Sequence, residues 1–283
     1  MNGYLTVRCR LPVELEGLVS QLLNQYQVLG CQVVDSGPGE AEFTVYLNRA
    51  LAAEADRLEV VLAGLGAAVV DVGTAEAGDW LGAYRRQARP FPVGARWWIE
   101  PRPESRTPAP NGRIRLIVEP TTAFGSGSHE TTQLVLLQLE RIPVAGESVL
   151  DVGTGCGILA LAAQALGAWP VVGCDTDPHA AFAARRTATR QGWPQSPMFT
   201  IGSISCIDRT SFRLIMCNIV SSDLEPLLPD IARLLEPAAG EAILSGILST
   251  ERTAVRDRVE RVGLTVVDEL GLQEWISVRV CRD

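Results

Sequence analysis

Residues 148–167 read SVLDVGTGCGILALAAQALG, and this stretch leaves the chain little choice of fold. A buried strand runs into Asp151, Gly153, Gly155 and Gly157 follow at alternate positions, and ILALAAQALG then reads as a helix. Glycine has no Cβ, so the three together let the backbone turn sharply and approach another molecule closely. A strand that passes through such a turn into a helix is the repeating unit of a parallel sheet covered by helices.

The sequence from Arg115 onward repeats that unit. RLIVEP reads as a strand and TTQLVLLQLERI as a helix, VVGCD and RLIMCN as buried parallel strands each followed by a helix, and MFTIG as a shorter strand. EAILSGI precedes the helix TERTAVRDRVERVG, and LTVVDEL and EWISVRV are close enough for a hairpin that makes an antiparallel edge. The expected fold class is α/β: a Rossmann-like, mostly parallel doubly wound sheet over 115–283, with its ligand at the C-terminal ends of the strands. Residues 1–78 follow a different plan. GYLTVRCR alternates as a strand, Leu15 to Tyr26 has helical spacing, CQVVDS and AEFTVYL are strands, ALAAEADRLEVVLAGLG is a helix and AAVVDVG a last strand. That β-α-β-β-α-β order is a small ferredoxin-like α+β domain, an arrangement that predicts no activity by itself. Between them, 79–114 hold Pro90, Pro92, Pro101, Pro103, Pro108 and Pro110 and read as an Arg/Pro-rich linker with a short helix at DWLGAYRRQ. Trp80, Trp97 and Trp98 indicate that it packs against something.

The net charge of −8 is unevenly spread. Residues 1–78 carry 4 Arg against 10 acids, 80–117 carry 8 Arg against 2, and 118–283 carry 13 Arg against 20. An acidic protein is a poor general nucleic-acid binder and suits a basic protein partner better, so no direct nucleic-acid binding is expected. No stretch has the ~18 apolar residues of a membrane span and no secretory leader is visible, which leads to the expectation of a soluble, cytoplasmic monomer. The seven cysteines are scattered, with no C-x-x-C pair, and read as free buried thiols rather than a metal site or a disulfide frame.

Several polar residues interrupt this apolar plan where a ligand is expected. Ile158 stands where the third glycine of the dinucleotide fingerprint belongs, which weighs against a nicotinamide cofactor. Asp151, directly before the glycines, would repel a pyrophosphate and suits the cationic amino-acid end of S-adenosylmethionine. Asp175 ends the next strand 24 residues later, where an acid accepts hydrogen bonds from ribose hydroxyls. Asp177-Pro178 reads instead as a helix cap and first-turn pair. Asn218 closes RLIMCN and faces either a ligand or a backbone turn. In EPTTAFGSGSHETT, residues 119–132, short side chains imply a close approach, or simply a connection capped by Ser128, with Thr131 and Thr132 opening the next helix; a lone loop histidine such as His129 is more often positional than catalytic.

Together these segments resemble the ribosomal protein L11 methyltransferase (PrmA) family, class I enzymes that use S-adenosylmethionine. The resemblance rests on Glu119-Pro120, Ala123-Phe124-Gly125, Gly127, His129 and Thr131-Thr132, on residues 151–163, on Asn218-Ile219-Val220-Ser221, and on Ser245-Gly246-Ile247-Leu248. Asp79-Trp80-Leu81 and Glu274-Trp275 fit as well, while Thr121-Thr122, Ser126 and Ile201 depart from the family pattern. The resemblance implies that Thr132, Gly153, Asp175 and Asn218 contact S-adenosylmethionine, with Asp151 and Gly155 beside them. It also implies that the N-terminal domain recognises ribosomal protein L11 and presents its amino groups, lysines and the N-terminal amine. No dedicated base and no metal ligand is evident; Asn218 is the candidate to orient the attacking amine.

Overall fold

Val7, Cys9 and Leu11 take alternate positions of β1 (Gly3–Pro12), so a single face of the strand is apolar and must be covered. They share one buried cluster with Phe43, Val45 and Leu47 of β3 (Glu40–Asn48) and with Leu58 and Leu62, four apart on α1 (Ala52–Gly64). With β2 (Val28–Gly37) and β4 (Ala68–Glu76) these strands form an antiparallel sheet of order β2-β3-β1-β4, as the ferredoxin-like reading requires. The computed structural model describes residues 3–12, 15, 19, 28–37, 39–48, 52–76, 88–105, 107–118, 127–208 and 211–282. Most of the expected first helix, the helix at DWLGAYRRQ and the loop 119–126 therefore lie outside the described residues.

The chain divides into two compact units, Met1–Arg86 and Gln87–Asp283. The stretch expected as a linker contributes structure to the second unit. β5 (Phe91–Val93), β6 (Trp97–Glu100) and β7 (Ile114–Ile117) make a three-stranded sheet, antiparallel between β5 and β6 and parallel between β6 and β7. Its prolines are compatible with this because Pro92 lies in the edge strand and the others lie outside the strands, where no ladder N–H is lost. Trp97 is fully buried and its indole N–H donates to the Leu136 carbonyl at 3.0 Å. The Glu140 carboxylate accepts from the backbone N–H of Ala95 and Arg96 at 3.1 and 2.7 Å, and the Arg113 guanidinium donates to the carbonyls of Gly94 and Trp97. The basic charge of this region is thus partly spent on holding backbone. RLIVEP accordingly belongs to the small sheet and not to the large one.

The large sheet has the order β10-β9-β8-β11-β12-β14-β13. β8 (Val149–Val152), β9 (Val171–Asp175), β10 (Met198–Ile201), β11 (Leu214–Asn218) and β12 (Glu241–Leu248) run parallel, while β13 (Leu264–Leu272) and β14 (Trp275–Arg282) add the antiparallel edge. On one face, Val149, Leu214, Met216 and Ile243 pack with α2 (Glu130–Leu139) and α3 (Ile158–Ala165). On the other, Leu150, Val152, Ile215 and Cys217 pack with α6 (Leu228–Leu234) and α7 (Arg252–Arg261). Burial on both sides explains why β11 reads as an apolar run up to Asn218 and β8 as one interrupted only by Asp151. The order changes direction at β8, where β9 lies to one side and β11 to the other; the crevice outside that point is where open α/β sheets bind ligands. Among the described residues no helix is long and apolar enough to cross a membrane.

Candidate cofactor and active site

β8 ends in the glycine loop because the backbone there visits conformations that side chains resist. Gly153, Gly155 and Gly157 have φ of +68°, +55° and +85°. A Cβ on Gly153 would lie 2.7 Å from Cδ1 of Ile219, and one on Gly157 would lie 3.0 Å from Cβ of Ala184. The loop is tied to β9 by Gly153 and Thr154 N–H groups, both donating to the Cys174 carbonyl. Helix α3 then starts directly at Ile158.

Asp151 lies beneath this loop with 1% of its surface exposed. Its Oδ2 accepts from the Thr154 hydroxyl at 2.6 Å and from the Ala160 N–H, in the first turn of α3, at 3.1 Å. Burial pushes its pKa up to about 6, against the pull of these two donors and with a further push from Asp175. Its Oδ1 is buried without a hydrogen-bond partner. Asp175, at the end of β9, accepts from the Gly155 N–H at 2.9 Å and the Asp177 N–H at 3.0 Å, one on each oxygen. Each oxygen keeps a lone pair for a further donor. Asp177 caps α4 (Pro178–Gln191) by accepting from the His179 N–H, as its sequence context indicates.

Asn218 ends β11. Asp151 pairs in register with Met216, so Asn218, two residues on, shares the face that Asp151 uses. The Asn218 amide donates to the Thr132 hydroxyl at 3.2 Å while its Oδ1 is buried without a partner. Thr132 lies in the first turn of α2, 1% exposed, and the Ser245 hydroxyl holds the neighbouring Thr131 carbonyl at 3.0 Å. The cap of α2 is His129 rather than Ser128: its Nδ1 accepts from the Thr131 N–H at 3.3 Å and contacts the Thr131 hydroxyl at 2.8 Å. Burial lowers the His129 pKa although Glu130 and Glu274 pull it upward, so the ring is neutral at pH 7 and keeps Nδ1 as an acceptor. The ring meets Trp275 edge-on at 5.3 Å.

The structure therefore brings the six candidate residues to one end of the sheet. The Asp151–Thr154 and Gly155–Asp175 bonds bind the loop to both acids, and Ile219, next to Asn218, covers Gly153. Two unpartnered buried acceptors, Asp151 Oδ1 and Asn218 Oδ1, lie on the same face of neighbouring strands. A positively charged amino-acid moiety supplies the donor that Asp151 Oδ1 lacks, and the lone pairs of Asp175 match a ribose diol. The residues thus fit S-adenosylmethionine. Thr154, Ile219 and Ser245 were not singled out from the residue pattern for these contacts; Thr154 sits inside the glycine motif, while Ile219 and Ser245 act across the fold. The buried thiols offer no competing chemistry: Cys156 and Cys174 are pushed up to about 12 by burial, Cys217 further. Among the described residues no cluster of three metal-binding side chains occurs.

A family model described as ribosomal protein L11 methyltransferase (PrmA) matches residues 19–283. A ribosomal protein L11 methyltransferase of Myxococcus xanthus is 31% identical over 99% of both chains. One of Symbiobacterium thermophilum is 33% identical over 87% of this chain and 83% of its own. A crystal structure of a ribosomal protein L11 methylase from Lactobacillus delbrueckii subsp. bulgaricus superposes with a TM-score of 0.64 at 29% identity, covering 69% of this chain and 99% of the other. The chain belongs to the ribosomal protein L11 methyltransferase (PrmA) family and has the α/β fold of S-adenosylmethionine-dependent methyltransferases.

Proposed function

We propose that this protein transfers methyl groups from S-adenosylmethionine to amino groups of ribosomal protein L11, at lysine side chains and the N-terminal amine. The observation that carries the reading is the pair of unpartnered buried acceptors, Asp151 Oδ1 and Asn218 Oδ1, at the sheet's switch point. In this reading Gly153 and Gly155 let the cofactor approach the backbone, Asp151 faces its cationic end, Asp175 holds the ribose, and Thr132 fixes the Asn218 amide. The bound cofactor supplies an electrophilic methyl group on a sulfonium. Asn218 Oδ1 accepts an N–H of the neutral amine and directs its lone pair, and bulk water takes the proton lost beforehand. Positioning of this kind is worth orders of magnitude in rate without any base. Residues 1–78 are assigned to substrate recognition and 115–283 to methyl transfer, with β5 and β6 pairing onto β7 at the start of the latter. The enzyme acts as a cytoplasmic monomer on protein, not nucleic acid.

The test is incubation with labelled S-adenosylmethionine and purified ribosomal protein L11, read by intact mass, alongside calorimetry. Asn218→Ala is expected to lose at least about tenfold in turnover while binding the cofactor. Near-normal turnover in that variant refutes the role given to Asn218; methylation of another ribosomal protein alone refutes the substrate.

A further inference from the structure

The chain leaves β11 at Asn218 and the neighbouring parallel strand β12 at Leu248. Here the two loops are pinned together by one side chain that stands 33 residues away from Asn218. Glu251 accepts the Ser221 hydroxyl on Oε1 at 2.5 Å and the backbone N–H of Leu248 on Oε2 at 3.0 Å. Ser221 is 8% exposed and opens the short helix α5 (Ser221–Leu224), whose Asp223 and Leu224 N–H groups both return to the Val220 carbonyl. Between Asn218 and Ser221 the loop is held on both sides. Ile219 N–H donates to the Ser245 carbonyl at 3.2 Å, and the Ile219 carbonyl passes so close to Gly246 that a Cβ there would lie 2.4 Å from it.

We propose that Glu251 is a positioning residue for methyl transfer, a latch that sets the Asn218–Ser221 loop against β12 and so fixes where the Asn218 amide points. This rests on the role proposed for Asn218. That amide is a sparse device: one hydrogen bond to Thr132, an open acceptor, and a backbone about to leave the sheet. Its direction is set at the Ser245 end by the Ile219 N–H and at the far end by Ser221. A charge-assisted hydrogen bond between a carboxylate and a hydroxyl is short and strong, and the second oxygen anchors the same carboxylate to the end of β12. Glu251 bonds Ser221 and Leu248 and makes no hydrogen bond to Asp151, Asp175 or the glycine loop, so its removal deletes no direct cofactor contact.

The prediction separates the latch from simple stability. Glu251→Ala is expected to lower kcat about tenfold, the scale of modest misorientation, with the affinity for S-adenosylmethionine within about twofold of the parent by calorimetry. Glu251→Gln keeps an oxygen for the Leu248 N–H and an amide for the Ser221 hydroxyl, and is expected to restore most of the rate. Ser221→Ala, which removes a single hydroxyl, is expected to lower kcat in the same direction should Glu251→Ala fold poorly. Because Glu251 acts through Asn218, the double variant Glu251→Ala/Asn218→Ala is expected to be no slower than Asn218→Ala alone. Unchanged kcat in both latch variants, or losses that multiply with that of Asn218→Ala, overturn the proposal. If Asn218→Ala itself turns over normally, the role of Asn218 falls first and the latch with it.

Discussion

Replacing Asp151 by Asn should make the cofactor-free protein more stable and less able to bind. The carboxyl is buried and its pKa is raised from 3.8 to about 6, with burial the main cause. An acid whose folded pKa lies above its unfolded value keeps its proton longer in the folded state. The unfolded chain therefore ionises first as pH rises, and stability falls between about pH 4 and pH 6 before levelling off. At 1.36 kcal/mol for each tenfold change in acidity, holding the charged form at pH 8 costs the folded state about 3 kcal/mol. At pH 5 the cost is roughly half of that. Asp151→Asn keeps an oxygen to accept from Thr154 and Ala160 and removes the charge. Urea unfolding of the cofactor-free proteins at pH 5 and pH 8 should show the variant gaining on the parent by about 1–2 kcal/mol more at pH 8. Calorimetry at pH 8 should show binding of S-adenosylmethionine weakened at least about tenfold, since a desolvated opposite charge is lost. A parent and variant with the same pH dependence of stability refute the burial argument. Unchanged cofactor affinity refutes the assignment of the open Oδ1 to the cationic end.

Two further outcomes follow from the same neighbourhood. Gly246→Ala places a Cβ 2.4 Å from the Ile219 carbonyl at a φ of +84°, so it should cost about 1–3 kcal/mol in urea unfolding and slow turnover; a variant as stable and active as the parent shows that the loop is not held there. His129 has a lowered pKa, so below its ordinary 6.5 the unfolded chain takes up the proton first and stability falls on acidification. His129→Asn retains a capping oxygen and should flatten that acid loss between pH 7 and pH 5, which unfolding at the two pH values measures; an equal loss in both proteins shows that the cap does not titrate.

Much of the large unit was legible because its signals are local. The apolar strands, Gly153, Gly155 and Gly157, and the Asp177-Pro178 cap each follow from short-range sterics and hydrogen bonding, and the structure realises all of them. The order β2-β3-β1-β4 of the small N-terminal sheet agrees with the ferredoxin-like reading of its element sequence, although long-range pairing sets it. Proline excludes helix and central strand but not a sheet whose edge and ends absorb it, so residues 79–114 have the composition of a linker and still supply β5 and β6. Ser128 caps the helix in one reading of the loop, yet His129 serves, because both side chains can accept and only the approach of the chain to α2 decides between them.

What the amino-acid order determined by itself is the set of parts: parallel strands closed by polar residues, a glycine turn, and an acid at each of two strand ends. Tertiary packing alone decided which lone pairs stay open. Asp151 turns one oxygen to Thr154 and leaves the other unpartnered, Asn218 reaches Thr132, 86 residues away in the chain, and Glu251 ties two strand exits together. Hydrogen bonds across a fold depend on which atoms meet when helices settle on a sheet, and side-chain identity does not carry that information until the chain has closed.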